Sequence, residues 1–296
     1  MKALPDRRRA TLALWQVAAG AFLLSFAAVF VRLADAGPTA AGFYRMLVGG
    51  VVLLALGVAR RERVWAGTRA FGFAAAAGLA FTFDLIFWHR SIHRVGPGLA
   101  TILANFQVFM LAGFGMLVLK ERPSWRLLAG IPLALAGLFL LVGVDWSALP
   151  AGYRLGVGLG LLTALSYGSY LLVLRASQAR AGRLEPIPNL MMICFVATTL
   201  LAVSVRLEGA TLAIPDARTG LLLVGYGVTA QVVAWLLISH GLPHVEAGRA
   251  GLVLLLQPSL TFVWDVLLFH RPTGAVDMVG AVLALGAIYL GTRNVQ

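Results

Sequence analysis

The chain repeatedly runs for about twenty residues without a charge, enough helix at 1.5 Å per residue to cross a hydrocarbon core of roughly 30 Å. Leu99 to Leu119 and Leu127 to Val144 contain no Asp, Glu, Lys or Arg. In hydrocarbon every backbone N–H and C=O must find a partner within the protein, which leaves helices and closed barrels. A barrel requires strands alternating apolar and polar residues, and no such alternation is present. The expected fold class is therefore an all-α polytopic membrane protein. Composition agrees: the 296 residues are 60% hydrophobic and 12% charged, with a mean hydropathy of +0.87, where a soluble domain carries about 25% charged residues.

Ten spans are predicted, at 11–31, 38–59, 69–91, 96–119, 125–144, 155–177, 187–207, 218–240, 246–269 and 275–292. The first follows a basic flank, as in a signal peptide, but its apolar part exceeds a typical signal core, so it is read as a retained helix. The joints are short and carry Pro, Gly, Arg or Asp, leaving no room for a soluble domain. With the N-terminus inside, sixteen Lys and Arg fall on inside segments and seven on outside loops, with Arg45 left within a span. Cytoplasmic loops carry the excess of such residues. Both termini are thus expected in the cytoplasm, in a cell inner (plasma) membrane. The net charge of +12 is accounted for by loops facing anionic lipid, and nucleic acid is not an expected partner. Cys194 is the only cysteine, which excludes a disulfide within the chain.

The chain also repeats. An offset of 150 pairs Val95 with Val245, Gly98 with Gly248, Ala100 with Ala250 and Gln107 with Gln257. The joint Arg122–Pro123 recurs as Arg271–Pro272, and Ala21 to Arg32 matches Ala164 to Arg175 more loosely. Two units follow, residues 1–146 and 147–296, each of five spans. An odd number per unit forces the second to be inverted in the membrane. Inverted repeats with a shared site near the midplane mark secondary transporters.

The in-membrane "FYRML" of span 2, the aromatic end of span 3 in "DLIFWHRSI", and the joint "LKERPSWRLLAGIPLALAGLFLLVG" resemble the drug/metabolite transporter superfamily, EamA type, over nearly the whole chain. Glu121 matches the acidic residue usual at that joint, whereas His270 and Arg271 stand where the second half should repeat it. The resemblance implies export or exchange of small metabolites, amino acids included, through a cavity between spans 1–4 and 6–9. It also makes spans 5 and 10 peripheral.

Ionisable groups inside a membrane cost about 2.5–3.5 kcal/mol each on insertion scales and mark function by default. Arg45 in span 2 and Asp84 in span 3 lie at similar depth on consecutive, antiparallel helices, so a pair between them is expected. That pair either stitches the two spans or serves a substrate carboxylate or a proton. The second half has Phe195 and Ala234 at the corresponding places. Gln107 and Gln257 are symmetry mates near the midplane, with Asn105 and Gln231 at similar depth; each is a site amide or interhelical glue. Trp235, Tyr167 and Phe106 are too deep for an interfacial belt and would wall an apolar or aromatic pocket, with core packing as the alternative. Trp88 and His89 form its rim. Asp265, near the far end of span 9, is expected to face water. His89 and His93 share a helix face, as do His240 and His244, but no Asp or Glu completes either set. A titrating gate histidine is favoured over a metal site.

The candidate substrate-binding set is therefore Arg45, Asp84, Trp88, His89, Asn105, Gln107, Tyr167, Gln231, Trp235 and Gln257. No cofactor, metal or catalytic residue is expected. There is no phosphate-binding loop for ATP and no hydrolase motif, so the chain is expected not to be an enzyme. The expected partners are a small-molecule substrate and the lipid bilayer, with monomer and homodimer both open. The alternatives to a transporter are a lipid-linked substrate flippase or a non-transporting sensor on the same scaffold.

Overall fold

The computed structural model describes residues 6–63, 65, 67–107, 109–110, 113, 116, 125–142, 149–178, 186–241, 253–254 and 256–292. Helices stand where the ten spans are expected. Span 1 comprises Asp6–Ser25 and Ala27–Leu33, span 2 Pro38–Ala59, span 3 Thr68–Val95, and span 4 opens with Pro97–Asn105. Span 5 is Trp125–Val142, span 6 Ala151–Gln178 and span 7 Pro186–Leu207. Span 8 runs through Ala217–Tyr226, a π-helical stretch Gly227–Val233, and Ala234–Gly241. Span 9 is Leu256–Phe269 and span 10 Ala275–Thr292. Six of these helices are long and apolar enough to cross a membrane, and spans 5, 9 and 10 contain shorter apolar helices. Glu121, His244 and Gly248 lie outside the described residues.

Local chemistry sets the span boundaries. Pro38 and Pro97 each open a helix, where the missing N–H costs nothing because the first-turn donors have no intrahelical partner. Asp216 caps span 8, its carboxylate accepting from the Thr219 N–H at 2.7 Å. Gly96, at φ +86°, turns span 3 into span 4.

The bundle is assembled by a two-fold rule. Span 3 packs on span 6 and span 8 on span 1; span 3 packs on span 7 and span 8 on span 2; span 4 packs on span 6 and span 9 on span 1. Spans 2 and 7, 4 and 9, and 5 and 10 pair across the axis. Small residues allow the closest crossings, as usual where apolar solvent supplies no drive for association. A Cβ at Gly137 would lie 2.8 Å from the Gly280 carbonyl oxygen, and one at Gly280 would lie 2.9 Å from that of Gly137. These two residues are 143 positions apart, the offset that relates spans 1 and 6.

We call the face where the chain enters span 1 proximal and the opposite face distal. The distal face carries the joints between spans 1 and 2, 3 and 4, 7 and 8, and 9 and 10.

Candidate functional site

A cavity of about 300 Å³ lies where the two halves meet. Residues from spans 1, 2, 3, 4, 6, 8 and 9 line it. Four pairs of symmetry mates face it: Leu24 and Tyr167, Trp88 and Ile238, Ala104 and Leu254, Gln107 and Gln257. The cavity therefore sits on the pseudo-two-fold axis. Its remaining wall includes Arg45, Phe81, Asp84, Thr101, Asn105, Thr163 and Trp235. Span 7 contributes nothing to this wall, and spans 5 and 10 are peripheral to it.

Among the described residues, three helices break regularity at this depth. Span 1 is interrupted at Phe26, next to Leu24 and Ala27 on the wall. Ser25 secures the break: its hydroxyl donates to the Phe22 carbonyl at 2.6 Å and accepts from the Trp264 indole at 2.9 Å, while its carbonyl accepts from Thr261 at 3.0 Å. Span 4 loosens after Asn105, whose amide donates to the Thr101 carbonyl at 2.8 Å. Span 8 widens into its π-helical stretch. Irregular backbone at membrane depth is tolerated where it lines a cavity or is packed in protein.

Arg45 does not pair with Asp84. Its Nε donates to the Gln231 side-chain oxygen at 3.0 Å and its Nη1 to the Tyr226 hydroxyl at 2.9 Å. The guanidinium lies over the rings of Phe81 at 5.3 Å and Tyr226 at 5.0 Å. Among the described residues the Asp84 carboxylate makes neither hydrogen bond nor ion pair. The expected pair is thus corrected: similar depth does not bring two side chains into contact, and both stand on the wall of the same cavity. Three further expectations change with it. His89 is fully buried behind the wall, its Nδ1 2.8 Å from the Pro38 carbonyl oxygen and its Nε2 2.9 Å from the Tyr226 hydroxyl. Gln231 also stands off the wall and acts on Arg45 from behind. Phe106 is buried in the core and does not line the cavity.

Three residues of the cavity wall carry sealed, unpaired polar atoms. The indole N–H groups of Trp88 and Trp235 and the Gln107 side-chain oxygen are buried without a hydrogen-bond partner among the described residues. An unpaired buried polar group costs about 1–3 kcal/mol, which a complementary guest recovers. The walls between these points are the aromatic faces of Phe81, Trp88, Tyr167 and Trp235. Tyr226 and Phe81 are additions to the predicted site. The hydroxyl of a tyrosine in mid-span was a signal for the first.

The distal ends are fastened. Arg90 pairs with Glu208 at 2.7 Å, and the Thr39 hydroxyl donates to the same carboxylate at 3.0 Å, joining spans 2, 3 and 7. Tyr44 donates to the Leu212 carbonyl. Asp265 is buried, contrary to the expectation that it faces water, and accepts from the Gly98 N–H at 2.9 Å. Arg271 lies 3.5 Å from Asp265 and donates to the Val95 carbonyl at 2.9 Å. That set ties the joint of spans 3 and 4 to the joint of spans 9 and 10. The contact is close: a Cβ at Gly96 would lie 2.7 Å from the Asp265 carboxylate.

An inverted repeat of helices around an axial cavity with a few charged and amide groups, and broken helices at its wall, defines a membrane transport protein. The chain belongs to the EamA-like transporter family, whose model matches residues 11–143 and 154–293. A protein of Archaeoglobus fulgidus named an uncharacterized transporter is 23% identical over 277 residues, covering 93% of this chain and 94% of its own. A solved structure described only as the crystal structure of a protein superposes with a TM-score of 0.67 at 19% identity. It covers 95% of this chain and 96% of that one, and shows a shared fold.

Proposed function

We propose that this protein is a secondary transporter that exports or exchanges amino acids with large apolar or aromatic side chains. It does so by alternating access through the axial cavity, in the cell inner membrane with both termini in the cytoplasm. The observation that carries this reading is one cavity presenting, between aromatic walls, Arg45 and an Asp84 that has no partner among the described residues. A zwitterion brings a carboxylate for the guanidinium and an ammonium for the carboxylate, so neither buried charge is left uncompensated. A net cation or anion would leave an excess charge in a low-dielectric site. The volume, about 300 Å³, falls at the lower end of the range for small-molecule pockets. The surplus of Lys and Arg on the proximal segments supports placing that face in the cytoplasm.

The test is counterflow in proteoliposomes. Vesicles loaded with unlabelled phenylalanine or leucine should accumulate the labelled amino acid transiently and saturably. A folded protein that gives no saturable flux across an amino-acid panel would sink the proposal.

A further inference from the structure

Span 8 spends seven residues, Gly227–Val233, in π-helical geometry. In an α-helix residues five apart point roughly 140° away from each other, whereas the i→i+5 bonding of a π-helix stacks them on one side. Tyr226 and Gln231 are five apart, and they are the two residues that hold Arg45. The backbone irregularity and the grip on the guanidinium are therefore one feature.

The hydrogen bonds around Tyr226 run in one direction. The Pro38 carbonyl can only accept, so His89 Nδ1 carries its proton and, in the neutral ring, Nε2 is an acceptor. Tyr226 then donates to His89 and accepts from Arg45. This order, Arg45 to Tyr226 to His89 to Pro38, leaves no alternative orientation for the phenol. With two nitrogens bonded and its Cζ over the Phe81 and Tyr226 rings, the guanidinium is held in place. Two of its nitrogens are engaged, and Nη2 makes no hydrogen bond among the described residues. Space for the grip comes from glycine: a Cβ at Gly49 would lie 2.5 Å from Gln231 Cγ, and one at Gly227 would lie 2.6 Å from Val48 Cβ.

We propose that the π-helical turn of span 8, through Tyr226, Gln231 and His89, is the positioning device that aims Arg45 into the cavity and sets its preference for a carboxylate. The proposal rests on the amino-acid reading above. Tyr226, Gln231 and His89 are positioning residues; none of them lines the cavity.

The test uses the full chain in detergent and two probes differing only by a carboxylate, phenylalanine and phenethylamine, with affinity measured by calorimetry and folding by thermal melt. Wild type should favour phenylalanine. In Tyr226→Phe the phenylalanine Kd should rise about tenfold, a loss of about 1.4 kcal/mol, while phenethylamine affinity stays put and the melt shifts little. Gly49→Ala, which crowds Gln231 without touching cavity chemistry, should shift the ratio the same way. A parallel loss for both probes would assign Tyr226 to general packing and overturn the proposal, as would an unchanged ratio in Tyr226→Phe. A wild type that binds neither probe, or prefers the amine, would remove the amino-acid reading and this proposal together. An intact wild-type preference with an unmoved variant ratio would remove this proposal alone.

Discussion

The two halves of the molecule share a backbone plan and differ in chemistry. The main packings between the halves come in mated pairs, and four mate pairs face the cavity together. Yet the first half puts Arg45 and Asp84 on the wall, while Phe195 and Ala234 occupy the mated positions. The second half answers with Tyr226 and Gln231, which hold the charge supplied by the first. Scaffold formation does not demand the charges, since the same spans fold without them at the mated places. On the amino-acid reading proposed above, what the asymmetry provides is orientation. A symmetric cavity would receive a zwitterion in two equivalent poses, whereas a guanidinium and a carboxylate at fixed places accept it in one.

The sharpest way to break this comparison is to delete the charge and its mate in turn. Arg45→Ala should weaken phenylalanine binding by at least about 30-fold, because truncating one member of a buried charged interaction costs roughly 2–5 kcal/mol. Phe195→Ala should leave affinity within about threefold, its cost falling on packing. Calorimetric titration of both purified variants decides it. Equal losses would mean that the chemistry is as symmetric as the fold.

The distal latch is a second asymmetry. Asp265 holds Gly98 and neighbours Arg271, whereas its mate at the 150 offset is Gly115. Removing the charge should loosen the distal face. Asp265→Asn should raise the labelling rate of a cavity cysteine at Thr101 by about five- to tenfold when a membrane-impermeant maleimide is applied from the distal side. That is the effect of losing about 1–1.5 kcal/mol of closure. An unchanged rate, with Cys194 replaced to remove background, would make Asp265 a static brace.

Spans 5 and 10 offer the contrasting case, a symmetric feature without asymmetric chemistry. Gly137→Val and Gly280→Val should each destabilise the protein by about 1–3 kcal/mol, as overpacking does, and both should leave phenylalanine affinity unchanged. Denaturation in detergent measures the first effect and titration the second. Unequal destabilisation would show that the two crossings are not mates in energy.

Most of the frame was legible in sequence because it rests on one-dimensional signals: uncharged runs, Pro and Gly joints, and an internal offset. The depth of the site was legible for the same reason, since rise per residue is constant. Direction around each helix was not. Trp88 faces the cavity while His89, turned by roughly 100°, is sealed against Pro38 and Tyr226. Arg45 and Asp84 share the cavity wall without a direct ion pair, and Asp265 points into a glycine joint rather than to water. The π-helical stretch GVTAQVV contains no proline, and nothing in its composition separates it from ordinary helix. What accompanies it is tertiary: a Cβ at Gly227 would lie 2.6 Å from Val48 Cβ and 3.2 Å from the Arg45 carbonyl oxygen.

The smallest predicted effect asks whether asymmetry extends to the neutral amides. Gln107 and Gln257 are mates, and both line the cavity. They are not in equal states, because the side-chain oxygen of Gln107 is buried with no partner among the described residues. Turned toward a guest ammonium, such an acceptor gains a hydrogen bond without first giving one up. Gln107→Ala should therefore weaken phenylalanine binding about three- to fivefold, close to one net hydrogen bond. Gln257→Ala should cost less than about twofold by the same measure. Should the two variants weaken binding equally, the amides form a symmetric pair that both transport states use alike. Orientation of the substrate would then rest on Arg45 and Asp84 alone.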